Sequence, residues 1–415
     1  SYIRFHVSLI REIPKTKTCV HHGHVDSIEY AQQHKYTEGG DMERAPIRGE
    51  TLTWARQVSG LSAEELASAV NVKPERIEAF ETGRDTPTLK QLANIARKLD
   101  RTPAFFFTSP PKAADLPATI DFRQSPELDG LDASTTKALR RAERYREIML
   151  EYGDTSHTSA MFPSPFRRSE EQHAAEAMRA LVGVDPAFVP AGPTKEAGFK
   201  MWRDRMENHG VMVFQTSDVG RSVFRGLSVY HQDLPIVLLN GKDSPAGKTF
   251  TLFHEVGHLI NRGSGLCLLD EDDTEEALVN AFAAHFLMPE AAVVKKMAEQ
   301  QTDDPVGTIA THFKVSRVAA AIRLKNLGRI DESAVQREKA RSDAMWKRER
   351  EQLKKKDSGP AYWRVRYRDL GPKYVGTVAQ ALDDQRISIL DASYFLDSRV
   401  PTVDKMINAY RSEAG

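Results

Sequence analysis

The sequence predicts a mostly helical α+β protein. Three observations carry this expectation. Apolar residues recur at helical spacing over residues 49–107, three short apolar runs cluster between residues 211 and 239, and amphipathic segments with a 3.6-residue period flank those runs. The expected organisation has five parts: an N-terminal extension without stable structure over 1–45, a helix-turn-helix bundle over 46–109 and a linker with one helix over 110–168. A domain with a small sheet over 169–330 and a charged helix with a small helical tail over 331–415 complete it.

Composition sets bounds on this scheme. The chain has 415 residues, enough for two or three separate cores, and its 40% apolar and 28% charged content is ordinary for a globular protein. No run of 18 apolar residues is present, so no membrane span is expected. The opening residues lack a basic stretch followed by an apolar one, so no secretory signal is expected. The two cysteines, Cys19 and Cys267, cannot make a disulfide framework, and a reducing cytoplasm is the expected home. Lys plus Arg equals Asp plus Glu at 58 each, so bulk charge cannot support nucleic-acid binding.

Taken in order, the extension holds the cluster Cys19-Val20-His21-His22-Gly23-His24. Thiolate and imidazole are both zinc ligands, yet an extension that binds metal only adventitiously is the preferred reading. Beyond it, Leu52, Ala55, Val58, Leu66, Ile77, Phe80, Leu92 and Ile95 mark helical faces. Ser62 stands three residues before Glu65, a capping box that starts a short helix through Val70. A tight turn at Asn71-Val72 follows, and Pro74 sits in the first turn of the next helix, where its missing N–H costs nothing. Gly83 closes that helix, and Thr88 caps another that ends near Leu99. Short helices with a tight turn between the second and third describe a helix-turn-helix.

Prolines 103, 110, 111, 117 and 126 then read as a linker, followed by a charged helix over about 134–151. Helices are expected up to Leu181 and over 195–208, and strands at Val211–Phe214, Leu227–Tyr230 and Pro235–Leu239. A helix begins after Ser244-Pro245, another covers 274–287, and 331–357 is a charged helical stretch. In the basic run from Lys347 to Lys356, interleaved glutamates favour a solvated, ion-paired face over a nucleic-acid contact. No internal repeat is evident.

The residues that carry chemistry are His254-Glu255-Val256-Gly257-His258, an H-E-x-x-H inside the apolar run from Phe250 to Ile260. Residues four apart share a helix face, so His254 and His258 converge on one point with Glu255 beside them. Two neutral imidazoles and a carboxylate able to take a proton from water suit a catalytic Zn²⁺ site. A third ligand must come from elsewhere, because position 264 is Ser and the next histidine is His285. Glu276 on the following helix is the best candidate. Asn280, Ala283 and Ala284 continue its face, and the small residues let that helix lie close. Glu275, Glu271 and Asp270 are alternatives, and Asp273-Thr274-Glu275-Glu276 also reads as a capping box.

These residues resemble the ImmA/IrrE metallopeptidases. The likeness rests on Phe250–His258, on Glu276-x-x-x-Asn280-Ala281-Phe282-Ala283-Ala284-His285-Phe286-Leu287-Met288-Pro289, and on flanking matches at 210–214, 235–240 and 315–324. It implies a zincin-like metallopeptidase domain with Glu276 as the third zinc ligand, His254 and His258 as the other two, and Glu255 as general base. Residues 49–107 resemble the lambda-repressor-like (XRE) domain often fused ahead of it. The implied activity is a zinc-dependent endopeptidase that cuts a regulatory protein, such as a repressor or an antitoxin or toxin partner, in a stress or phage-type response.

Several expectations attach to that reading. The strand at 235–239 is expected to pair with an extended substrate segment. Tyr230, His231, Arg225 and His285 are candidates to assist the oxyanion, although packing is the commoner role for each. Cys267 is a candidate redox-sensitive ligand, with a loop cysteine as the preferred reading. In the bundle, Lys73, Arg76 and Arg84 are the candidate DNA contacts, since recognition helices meet bases and phosphates with their first turns. Against this, residues 48–99 hold eight basic and seven acidic side chains, so few counterions would be released. The alternatives are a bundle that docks a protein or forms a homodimer, a regulator whose metal domain senses a ligand without cutting, and an antitoxin that grips a toxin through 111–190 or 331–415.

Overall fold

The computed structural model describes residues 44–59, 61–99, 101, 103–107, 109–110, 133–154, 159–220, 224–262, 274–300, 302–354 and 360–414. The extension up to residue 43 with its Cys19–His24 cluster, linker residues 111–132, Asp270, Glu271, Asp273 and Cys267 lie outside the described residues. Among the described residues the chain forms 17 α-helices in a mostly helical α+β arrangement with a small three-stranded sheet. No single helix among the described residues is long and apolar enough to cross a membrane.

The N-terminal bundle is built from α1 (Gly49–Val58), α2 (Ala63–Val70), α3 (Pro74–Glu81), α4 (Leu89–Lys98) and a 3₁₀ turn over Pro103–Phe107. Local signals set each boundary. The Ser62 hydroxyl accepts from Glu65 N while the Glu65 carboxylate accepts from Ser62 N, and Thr88 with Gln91 repeats that box on α4. Asn71 adopts φ +56, a left-handed turn that Asn tolerates, and Pro74 opens α3. Leu52, Leu66, Ile77, Phe80, Leu92 and Ile95 meet in a fully buried core. Arg56 holds this bundle from within, donating to both carboxylate oxygens of Glu81 at 2.6 and 3.0 Å and to Leu61 O.

The remaining chain forms a layered body around the sheet. After α5 (Ala133–Tyr152), α6 (Glu171–Leu181) and α7 (Lys195–Asn208) come β1 (Met212–Thr216), β2 (Gly226–Val229) and β3 (Ile236–Asn240). Then follow α8 (Pro245–Ile260), α9 (Thr274–Leu287), α10 (Glu290–Glu299), α11 (Pro305–His312), α12 (Arg317–Asn326) and α13 (Glu332–Lys354). The chain ends with α14 (Tyr362–Leu370), α15 (Pro372–Asp383), α16 (Ile389–Phe395) and α17 (Val400–Ala414).

The strand order is β1-β3-β2, with β1 parallel and β2 antiparallel to β3. Side chains alternate across the sheet. Val213, Val237 and Leu239 join the core built by α6–α9, while Met212, Phe214, Leu227, Ile236 and Leu238 face a second core of α5 and α14–α17. Both faces are therefore covered, which explains why the strands read as continuous apolar runs. The segments expected as linker and tail thus supply the sheet's second cover: Leu139, Ala142 and Tyr145 of α5 pack with Tyr374, Val378 and Met406.

One expectation fails here. Strand 235–239 is central, with both edges hydrogen-bonded to neighbours, so it has no edge to offer a substrate. Beside α8, the edge strand is β2.

Candidate metal centre

Helix α8 begins where the sequence sets it. The Ser244 hydroxyl accepts from Gly247 N at 3.1 Å, and Pro245 occupies the first turn. Its apolar residues Leu252, Phe253, Val256 and Leu259 bury all round, so α8 runs through the interior. That burial brings His254 and His258, each 5% exposed, under the following helix.

Helix α9 crosses α8 closely because Gly257 has no side chain. A Cβ built there would stand 3.0 Å from Val279 Cβ and 3.1 Å from its Cγ1. Phe282 and Phe286 then pack beside Phe253, whose ring stacks on Phe286 at 3.9 Å. This close approach carries Glu276 onto the two imidazoles. Glu276 Oε2 lies 3.1 Å from His254 Nε2, Oε1 lies 3.1 Å from His258 Nε2, and the two Nε2 atoms are 3.2 Å apart. Glu275 reaches only 3.9 Å from His258 Nδ1 and points mainly to solvent.

Three side chains converging so closely fit a dication. Tetrahedral zinc bonds of 2.0–2.1 Å place ligand atoms about 3.3 Å apart, near the separations found here. The donor set also fits: two imidazoles and a carboxylate are zinc ligands, and a site with three protein ligands leaves a position for substrate or water. The other nitrogen of His254 is engaged, with Nδ1 donating to Asn280 Oδ1 at 3.0 Å, which leaves Nε2 directed at the cluster. Among the described residues this is the group of three ligand-type side chains able to hold a metal ion.

Charge in the cluster follows from burial and proximity. Burial alone would raise the Glu276 carboxyl, but hydrogen bonds from His254 and His258 hold it far below the usual carboxylate range. For His258, burial acts to lower the pKa, yet Glu276, Glu255 and Glu275 together leave it raised. Glu255 is fully buried, and burial pushes its carboxyl up against the opposing pull of His254 and His258. Neither Glu255 oxygen has a hydrogen-bond partner of good geometry, although the Ser228 hydroxyl on β2 is near enough to favour the charged form. A carboxylate kept short of partners beside two imidazoles is a group ready to accept a proton.

Space for Glu255 comes from β2. A Cβ on Gly226 would stand 2.8 Å from Glu255 Oε1 and 2.4 Å from Thr251 Cγ2. Gly226 is a packing position beside Glu255 that sequence reading missed. An isolated glycine in a strand signals close approach of a neighbour, but nothing in the sequence says which neighbour.

The comparisons with known families agree with this geometry. Residues 52–106 match the helix-turn-helix family model, and residues 206–325 match that of the IrrE N-terminal-like domain. The two matches stand in that order along the chain, the helix-turn-helix ahead of the IrrE N-terminal-like stretch. No curated protein matches the chain significantly. Within the IrrE-like domain lie β1–β3, α8, α9 and the whole His254–His258–Glu276 cluster. Two of the oxyanion candidates are engaged elsewhere: His231 Nε2 lies 3.1 Å from Glu143 Oε1, and His285 Nδ1 faces Arg323 at 3.2 Å. Arg225 is exposed and Tyr230 half-buried beside β2.

The helix-turn-helix presents its candidate contacts unequally. Lys73, at the start of α3, and Arg84, in the following loop, are exposed. Arg76 is half-buried, donates to Asp85 Oδ2 at 3.0 Å and stacks over Phe80. Its guanidinium is therefore already committed within the fold.

Proposed function

We propose that the IrrE-like domain is a zinc-dependent endopeptidase, with His254, His258 and Glu276 holding the metal and Glu255 serving as general base. The single observation that supports this most is the convergence of two imidazole nitrogens and the two oxygens of one carboxylate, neighbours at 3.1–3.2 Å, beside a second, buried carboxylate. When bound, zinc supplies Lewis-acid polarisation of the scissile carbonyl and of water. Glu255 takes a proton from the attacking water at a carboxylate oxygen and returns it to the leaving amine as the C–N bond breaks. Asn280 fixes the tautomer of His254, and Gly226 leaves room for the carboxylate to move. An extended substrate adds to β2, the edge strand next to α8, which presents a peptide in the conformation a protease cuts.

The proposed target is a regulatory protein, a repressor or an antitoxin or toxin partner, cut in the cytoplasm. DNA engages the N-terminal bundle through Lys73 and Arg84, with Arg76 contributing only on release from Asp85. Metal analysis combined with cleavage of co-expressed neighbouring gene products tests the peptidase reading. Wild-type protein is expected to cut one of them, and Glu255→Gln to keep its zinc and lose the cut. Stoichiometric zinc with no cleavage of any neighbour would transfer the domain to a sensing role. A gel-shift titration with Lys73→Ala and Arg84→Ala tests the DNA contacts, and unchanged binding would remove them.

A further inference from the structure

The C-terminal helices repeat the N-terminal turn at one constant offset. Ser62 and Ser388 are both N-caps of capping boxes, closed by Glu65 and Asp391. Asn71 and Asp397 are both left-handed, at φ +56 and +47. The closing hydrogen bonds also correspond, Val72 N to Ala67 O and Ser398 N to Ser393 O, each 3.0 Å. The next helices start three residues on, at Pro74 and Val400, and their first turns are tied by Arg76 N to Lys73 O and Thr402 N to Arg399 O. Buried positions coincide as well: Leu66, Ile77 and Phe80 answer to Ala392, Val403 and Met406, all 0% exposed. Helix α15 packs across both α16 and α17, close enough that a Cβ on Gly376 would meet the Tyr410 ring at 2.5 Å.

A similar turn joins α11 and α12, with Lys314 left-handed and Val315 N bonded to Ala310 O. There the second helix is covered by α13, and Arg317 is locked to Asp304 and Glu338. Exposure, not the turn, separates α17 from α12. Arg399 just ahead of α17 and Lys405 and Asn408 on it are exposed, with Thr402 half-buried between them. Across the same span the balance also differs. Residues 399–408 carry Arg399 and Lys405 against Asp404, whereas 73–82 carry Lys73 and the committed Arg76 against Glu75, Glu78 and Glu81.

We propose that α16 and α17 form a second helix-turn-helix, and that the α17 face contacts duplex DNA through Arg399 and Lys405. Two cations with an amide and a hydroxyl, spaced every third residue along the exposed first turns of the helix, are the groups that meet phosphates and base edges. The site is independent of the metal centre, so loss of one reading leaves the other standing.

Fluorescence anisotropy of the full chain with a short random-sequence duplex, repeated over a range of KCl concentrations, tests it. Each phosphate contact contributes about 0.9 to the slope of log affinity against log salt. Arg399→Ala with Lys405→Ala is therefore expected to flatten the slope by about 2. Arg399→Lys with Lys405→Arg should keep it, which separates lost contacts from misfolding. No duplex binding by the wild-type chain at low salt overturns the proposal, as does an unchanged slope in the alanine pair. Loss of a bound polypeptide with an unchanged slope would make α17 a protein-docking face and overturns it too.

Discussion

Asn280 Oδ1 accepts from His254 Nδ1 at 3.0 Å across the α8–α9 interface. The bond links the face of α8 that carries the candidate metal ligands to α9 and selects the tautomer that leaves Nε2 facing Glu276. Asn280→Ala should therefore lower zinc affinity about 10–100-fold while sparing stability, because the residue is exposed. Competition with a chelator measures it, and an unchanged affinity would refute the role.

Gly226→Ala sets a methyl group against Glu255 Oε1 and Thr251 Cγ2. Overpacking at a buried position costs about 1–3 kcal/mol, read from urea midpoints. Zinc content should persist, since the ligands sit on α8 and α9, while cleavage falls with the displaced carboxylate. Zinc loss together with activity would instead mean that the whole centre has shifted.

Glu81→Ala leaves the half-buried Arg56 guanidinium without its carboxylate, whose hydrogen bond is the chief cause of its raised pKa. Breaking a part-buried bidentate pair from one side costs about 1–3 kcal/mol, between the exposed and the fully buried cases. The N-terminal bundle should unfold early in a denaturant titration, with zinc binding intact. Coincident loss of both would show that the bundle and the IrrE-like domain unfold as one.

Asp304 accepts from both Arg317 nitrogens at 2.6 and 2.7 Å, and that bond holds its carboxyl down to about 2. A depressed carboxyl contributes stability above its ordinary range and loses it as pH falls through the folded value. The stability gap between wild type and Asp304→Asn should thus be full at neutral pH and close between about pH 4 and pH 2. A gap that persists at the acid end would point to a packing effect. Because Asp304 is exposed, the gap should also shrink in high salt.

Much of this architecture could be read from local signals. Ser244-Pro245 marks the start of α8, the helices at 195–208 and 274–287 match their periodicity, and His254 and His258 follow from spacing alone. Adjacency could not be read. Nothing in Pro235–Leu239 says that it lies between two other strands, since a central strand and a buried edge strand are equally apolar. The helix over 134–151 looks like a solvated connector because its apolar residues, Leu139, Ala142 and Tyr145, are interleaved with arginines whose charges pair at the rim. The second turn at Asp397 was hidden because its backbone geometry recurs while its residue types do not: Ala392 and Met406 stand where Leu66 and Phe80 stand.

Gly257 brings a last consequence. The gap between two rods is gauged by a hydrogen atom at that position, and the acid that completes the cage arrives from the far rod. Any bulkier residue there would prise the rods apart by a few tenths of an ångström and withdraw one corner of the cage without altering any of the three that grip. Under the proposed function, ion capture would therefore be tuned by a residue that never touches the ion.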